Sequence, residues 1–139
     1  MILLLVIKIS EYRKESRQPF EKCCATASDV ISKNGFAILA EIKTSDILKS
    51  KGFDYPKLRT YDICNAGYAS KALALDRRVE TIIPCHLIVK GAGDQTEISA
   101  QLPGEMFEAL HIEKNHETES FLGEVETRLK RIVDEIATE

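Results

Sequence analysis

Cys64, Cys85 and His86 fall within one stretch, Tyr61 to Lys90, where strands start, stop or bend. A thiolate is a nucleophile, a soft metal ligand or half of a redox pair, and it needs stabilisation near neutral pH. Cys64 is followed by Asn65, which can cap a helix. The unpaired N–H groups and dipole of that helix start favour an anion, so a thiolate or a small anionic ligand would gain there, and a Cys64 thiolate could serve as metal ligand, nucleophile or half of a redox pair with Cys85. The bland alternative is a small strand-end residue filling the core. In a regular strand Cys85 alternates with Ile83, Leu87 and Val89, while His86 shares the other face with Ile82, Pro84 and Ile88. On that count Cys85 and His86 do not bind one ion together. Pro84 implies an edge or a bulge, and a bulge would allow a cluster of Cys64, Cys85 and His86. Glu41 reads either as a general base facing a pocket or as a carboxylate pairing with a structural group. The candidate ligand-binding set is therefore Cys64, Asn65, Cys85, His86 and Glu41.

Other chemistry finds little support. The sequence has no Gly-x-Ser-x-Gly, no Ser-His-Asp order and no paired carboxylates at a hydrolase spacing. His111 and His116 are five apart in a polar segment, which does not suit a helical metal pair, and they read as solvated. Gly91-Ala92-Gly93 lies at a hairpin tip with no helix after it, so it serves turn geometry rather than phosphate binding. No cofactor is specified, and no complete catalytic set is present.

The 139 residues suit one domain with one real core, at 44% hydrophobic and 29% charged residues. A net charge of −3 offers no broad basic surface, which argues against nucleic acid as a partner. Met1 to Ile7 is too short to span a bilayer and lacks a preceding basic residue and a cleavage site, so it reads as a buried first strand with no membrane role. Four unevenly spaced cysteines without a Cys-x-x-Cys pair point to a reducing cytoplasm rather than to a disulfide framework or a structural zinc.

The elements that must position the candidate residues follow from periodicity. Phe20, Cys23, Cys24, Ala27, Val30 and Ile31 recur at helical spacing after Pro19 and before Asn34-Gly35, with both cysteines on the apolar side as core residues. Phe36 to Lys43 is a strand with Phe36, Ile38, Ala40 and Ile42 on one face and Glu41 on the other. Thr44-Ser45-Asp46 starts a short helix stopped at Gly52, and Leu58 to Cys64 is the next strand. Asn65 caps a helix with Tyr68, Ala69, Ala72, Leu73 and Leu75 as its packing face, ending near Asp76-Arg77-Arg78. Thr81 to Lys90 and Gln95 to Leu102 form a hairpin. Met106, Phe107 and Leu110 suggest a helical turn, His111 to Glu119 is polar and exposed, and an amphipathic helix runs from about 118 to 137.

Four short motifs then stand in order: Gly35-Phe36, Leu39-Ala40-Glu41-Ile42, Cys64-Asn65 and Ile82-Ile83-Pro84-Cys85. Together, over roughly Met1 to Phe107, they resemble the domain of unknown function 302 family. The resemblance implies an α+β fold of two layers, a mainly antiparallel sheet with helices packed on one face, in small proteins that often pair as homodimers. It brings no known reaction. The chain departs from the family pattern at Ala66, where proline is usual, at Arg77-Arg78, and at His86, where asparagine or arginine often follows the cysteine. Three readings result. The first is a homodimeric module binding a small anionic ligand or a metal ion near Cys64 and Cys85. The others are a thiol enzyme or redox protein using Cys64 with Cys85 or His86, and a dimeric interaction protein without a small-molecule site.

Overall fold

The computed structural model describes residues 11–138. The expected first strand, Met1 to Ile7, lies outside the described residues. The sheet instead begins with β1 (Glu11–Ser16), drawn from a polar run with no apolar alternation. Only pairing shows it as a strand. It lies antiparallel on β5 at the edge of the sheet, where most of its side chains stay in water.

From there the chain runs α1 (Phe20–Lys33), β2 (Ala37–Ile42), α2 (Thr44–Ser50), β3 (Leu58–Cys64) and α3 (Ala66–Leu75). A 3-10 turn at Arg77–Thr81 precedes β4 (Cys85–Ala92), β5 (Gln95–Gln101), α4 (Pro103–Ala109) and α5 (His116–Thr138). The five strands form one antiparallel sheet in the order β1-β5-β4-β3-β2. Register aligns Tyr12, Ala100, Leu87 and Tyr61 in one row, with Ile98 and Val89 in the next. That face meets the apolar stripes of α1 and α5, and the two layers enclose the main core. Cys23 and Cys24 lie fully inside it as small hydrophobes, and the Tyr61 hydroxyl donates to the Cys24 carbonyl at 3.1 Å. The fold is α+β with two layers, as the sequence led us to expect.

Three departures from the sequence reading have local causes. First, a bulge between Ile38 and Ala40 breaks the alternation in β2. Ile38 pairs with Ile63 on the helix side, whereas Ala40 and Ile42 pair with Asp62 and Thr60 on the other face, and Glu41 comes round to pair with Tyr61. Second, the strand expected from Thr81 begins only at Cys85. The Asp76 side chain accepts from the Arg78 N–H at 2.8 Å and starts a 3-10 turn there, while Val79 anchors a second small core with Ala72, Phe107, Ile112 and Leu122. Third, α3 buries only Ala72, and Leu73 and Leu75 remain exposed.

Three helices end by one device. After α1, α2 and α4 the next-but-one N–H returns to the helix: Phe36 to the Ile31 carbonyl, Phe53 to Leu48 and Ile112 to Phe107. The residue between adopts positive φ, namely Gly35 at 83°, Gly52 at 86° and His111 at 55°. This paired closure satisfies free carbonyls at the helix end. Glycine takes the left-handed region at no steric cost, whereas histidine carries a Cβ into it. His111→Gly is therefore expected to stabilise the protein by roughly 0.5–1 kcal/mol, and Gly35→Ala to destabilise it by about 1–2 kcal/mol. Urea unfolding of both variants measures the two signs, and equal effects would refute the backbone account.

Candidate functional site

β3 and β4 deliver the two candidate cysteines to the same end of the sheet. Cys85 opens β4 opposite Ile63, and so points toward the helices with Leu87 and Val89. Cys64 closes β3, and Asn65 follows it as the cap of α3. The Asn65 carbonyl oxygen accepts from the Tyr68 N–H at 3.0 Å, and its amide donates to the Gly35 carbonyl at 2.8 Å. Both hydrogen-bonding ends of Asn65 are thereby engaged by the protein itself.

Above this corner, α3, the 3-10 turn, α4 and α5 leave a crevice of about 50 Å³. Cys64, Asn65 and Cys85 border it, with Ile63 at the sheet and Tyr68, Ala69 and Ala72 along α3. Val79, Ile82, Ile83, Phe107, Phe121, Leu122 and Val125 supply further apolar lining. By the same measure a single water needs roughly 10–15 Å³, so the space exceeds one water but takes only a small group. Phe36, Tyr68 and Phe121 form an aromatic row at its border, with ring centroids 6.2 and 5.8 Å apart. The Arg128 guanidinium lies 5.5 Å from the Tyr68 ring centroid, and its pairing with Glu124 is long, at 4.0 Å. Sequence patterning put Arg128 on the solvated face of the last helix. Only the packing of that helix beside Asn34 and Tyr68 brings its charge next to the Tyr68 ring, although Arg128 itself does not line the crevice.

The other two candidates stand elsewhere. β4 is regular from Cys85 onward, because Pro84 precedes the strand, and His86 therefore faces away from the helices. Its Nδ1 lies 2.6 Å from the Asp62 Oδ1, directly across the strand pair. Glu41 pairs with Arg59 at 3.4 Å, and neither His86 nor Glu41 borders the crevice. Among the described residues no group of three histidine, cysteine or acidic side chains is arranged to hold a metal ion.

Burial, and then the neighbouring Cys64 thiol, push the Cys85 thiol up to about 11. Cys85 is thus a protonated, apolar-facing thiol near neutral pH. Cys24 is raised in the same direction, chiefly by burial in the core. All four cysteines are free.

The family model described as "Domain of unknown function DUF302" matches residues 12–136, which spans α5 as well as the four motifs. The chain belongs to the DUF302 family. A crystal structure of an uncharacterized conserved DUF302 protein from Bacillus stearothermophilus superposes with a TM-score of 0.81 at 19% identity. The superposition covers 89% of this chain and 95% of that one, and at this identity it speaks for the shared DUF302 fold. No curated protein matches the chain.

Two outcomes follow from the thiols. In the unfolded chain Cys85 ionises near its ordinary 9.0, whereas the folded protein holds the proton to about 11. Its stabilising contribution is therefore complete below about pH 9 and is lost as pH rises toward 11, on the order of 2 kcal/mol in all. Cys85→Ala should shallow the alkaline fall in Tm. An equally steep fall in the variant would place the effect on Cys24 or Tyr61. Alkylation by iodoacetamide at neutral pH, mapped by peptide mass spectrometry, should modify Cys64 first, because Cys23 and Cys24 are enclosed and Cys85 is protonated. Faster labelling of Cys85 would contradict this assignment.

Proposed function

We propose that this DUF302 protein is a small binding module whose crevice takes the apolar end of an amphipathic ligand, with Arg128 beside Tyr68 to meet an anionic head. The observation that carries this reading is the crevice itself: an aromatic and aliphatic lining, two thiols, no free side-chain amide, and one weakly paired cation beside it. Small-molecule sites are commonly apolar concavities with few polar groups, and this corner has that character. The anionic ligand expected at the start of α3 is kept, but the helix start is occupied by Asn65, so the charge partner moves to Arg128.

A metal site or a thiolate pair is the weaker reading. Cys85 holds its proton, and His86 lies on the opposite face of β4. Four free thiols fit a reducing, cytoplasmic setting. Homodimerisation, expected from the family resemblance, has a suitable surface in the sheet face away from the helices. Arg13 and Lys90 there, and the Asp62–His86 pair, are partly exposed polar groups that can meet a second copy, while Glu97 is buried between Arg13 and Lys90.

The test is an NMR titration of the isotopically labelled protein with hexanoate and with hexanol. Both ligands should perturb the amides of Asn65, Tyr68 and Ala69, with hexanoate bound more tightly. Arg128→Ala should remove the preference for hexanoate, and Ala69→Leu, which fills a partly exposed wall, should weaken both. Absence of shifts at these amides with either probe would overturn the proposal.

A further inference from the structure

The opposite end of the strands carries a second feature that the crevice does not use. Between Ile42 and Leu58 the chain forms α2 and its following loop, and no residue of α2 is buried. The Ser45 hydroxyl bonds the Leu58 N–H at 2.9 Å, and the Phe53 N–H returns to Leu48, so the segment is anchored while its side chains face water. Ile47, Phe53 and Tyr55 are each more than half exposed, at 55%, 63% and 58%.

Lysines interleave with these apolar side chains at positions 43, 49, 51 and 57. Lys43, Lys49 and Lys51 make no ion pair among the described residues. The stretch 43–57 has four lysines against two aspartates in a chain whose net charge is −3. Lys49, Lys57, Phe53 and Tyr55 border one concavity together with Asp46 and Asp54, so aromatic rings and charges of both signs share that wall, and the lysine excess of the stretch comes from Lys43 and Lys51 beyond it.

We propose that this surface docks on an anionic lipid bilayer, with Phe53, Tyr55 and Ile47 entering the headgroup region and Lys43, Lys49 and Lys51 meeting lipid phosphates. A second copy is the poorer occupant, since a two-fold contact would set the lysine excess of each stretch, four lysines against two aspartates, against its own image. Apolar and aromatic side chains interleaved with lysine are what an interfacial segment needs: the rings leave water while the long lysine stems reach phosphate. The sequence argued against a membrane role because Met1 to Ile7 is too short to span a bilayer. No described helix is long and apolar enough to cross a membrane, and surface docking requires none.

Vesicle co-sedimentation of the full chain tests the proposal. Vesicles of phosphatidylcholine with phosphatidylglycerol should carry the protein down, pure phosphatidylcholine should not, and high salt should release it. The double variants Phe53→Ser with Tyr55→Ser, and Lys49→Glu with Lys51→Glu, change exposed side chains only. Each should weaken binding by about tenfold or more while circular dichroism stays unchanged. The proposal is overturned if anionic vesicles do not bind the wild type, or if both variants bind as well as it does. It is equally overturned if polyglutamate binds as tightly as vesicles, which would mark an acidic protein as the partner. Loss of a wild-type dimer in both variants, without vesicle binding, would instead assign the surface to a second copy.

Discussion

One amide side chain holds the functional corner together. Asn65 joins the carbonyl of Gly35, at the end of α1, to the free N–H of Tyr68, in the first turn of α3. It ties the α1–β2 junction to the β3–α3 junction, 30 residues apart in sequence. Each bond satisfies a backbone group that the local helix end leaves open. Gly35 must adopt positive φ for its carbonyl to reach Asn65, and Tyr68 must enter α3 at this angle for its ring to lie between Phe36 and Phe121. The crevice border therefore depends on a polar clamp that no ligand can displace without unravelling the start of α3.

The four cysteines divide by environment rather than by spacing. Cys23 and Cys24 are neighbours on α1, yet both reach the core, and Cys24 lies close enough to Arg59 for the cation to oppose the effect of burial on its thiol. Cys64 and Cys85 both border the crevice, and at Cys85 burial dominates with no cation opposing it. A thiol is activated by positive charge or by free N–H groups aimed at the sulfur. At Cys85 neither is present, so its chemistry is that of a small, polarizable apolar surface.

The two ends of the strands are thus opposite in character. At the Cys64 end, helices close over the sheet around a small crevice with an aromatic and aliphatic lining. At the Leu58 end, α2 buries none of its residues, and Lys43, Lys49 and Lys51 make no ion pair among the described residues. Phe53 and Tyr55 remain more than half exposed, which is why that surface reads as an interaction surface rather than as core.

Periodicity in the sequence determined α1, β3, the capping role of Asn65, the β4–β5 hairpin and the long last helix, because each is set by contacts within a few residues. The apolar stripe of α1 and the Asn34-Gly35 stop needed no tertiary information. Strand alternation also read Cys85 and His86 onto opposite faces, but Pro84 left a bulge open until the structure placed it ahead of β4. Tertiary structure alone decided the rest. β1 is a strand because β5 offers it an edge, not because its own residues alternate. The bulge that turns Glu41 toward Arg59 arises from pairing with β3. Arg128 reads as solvent-facing in the sequence and comes beside the Tyr68 ring and the Asn34 carbonyl only through packing between segments far apart in the chain. Local pattern fixes what a segment forms and which side it buries. Where two such sides meet depends on packing between residues far apart in the chain, and the crevice exists only at that meeting.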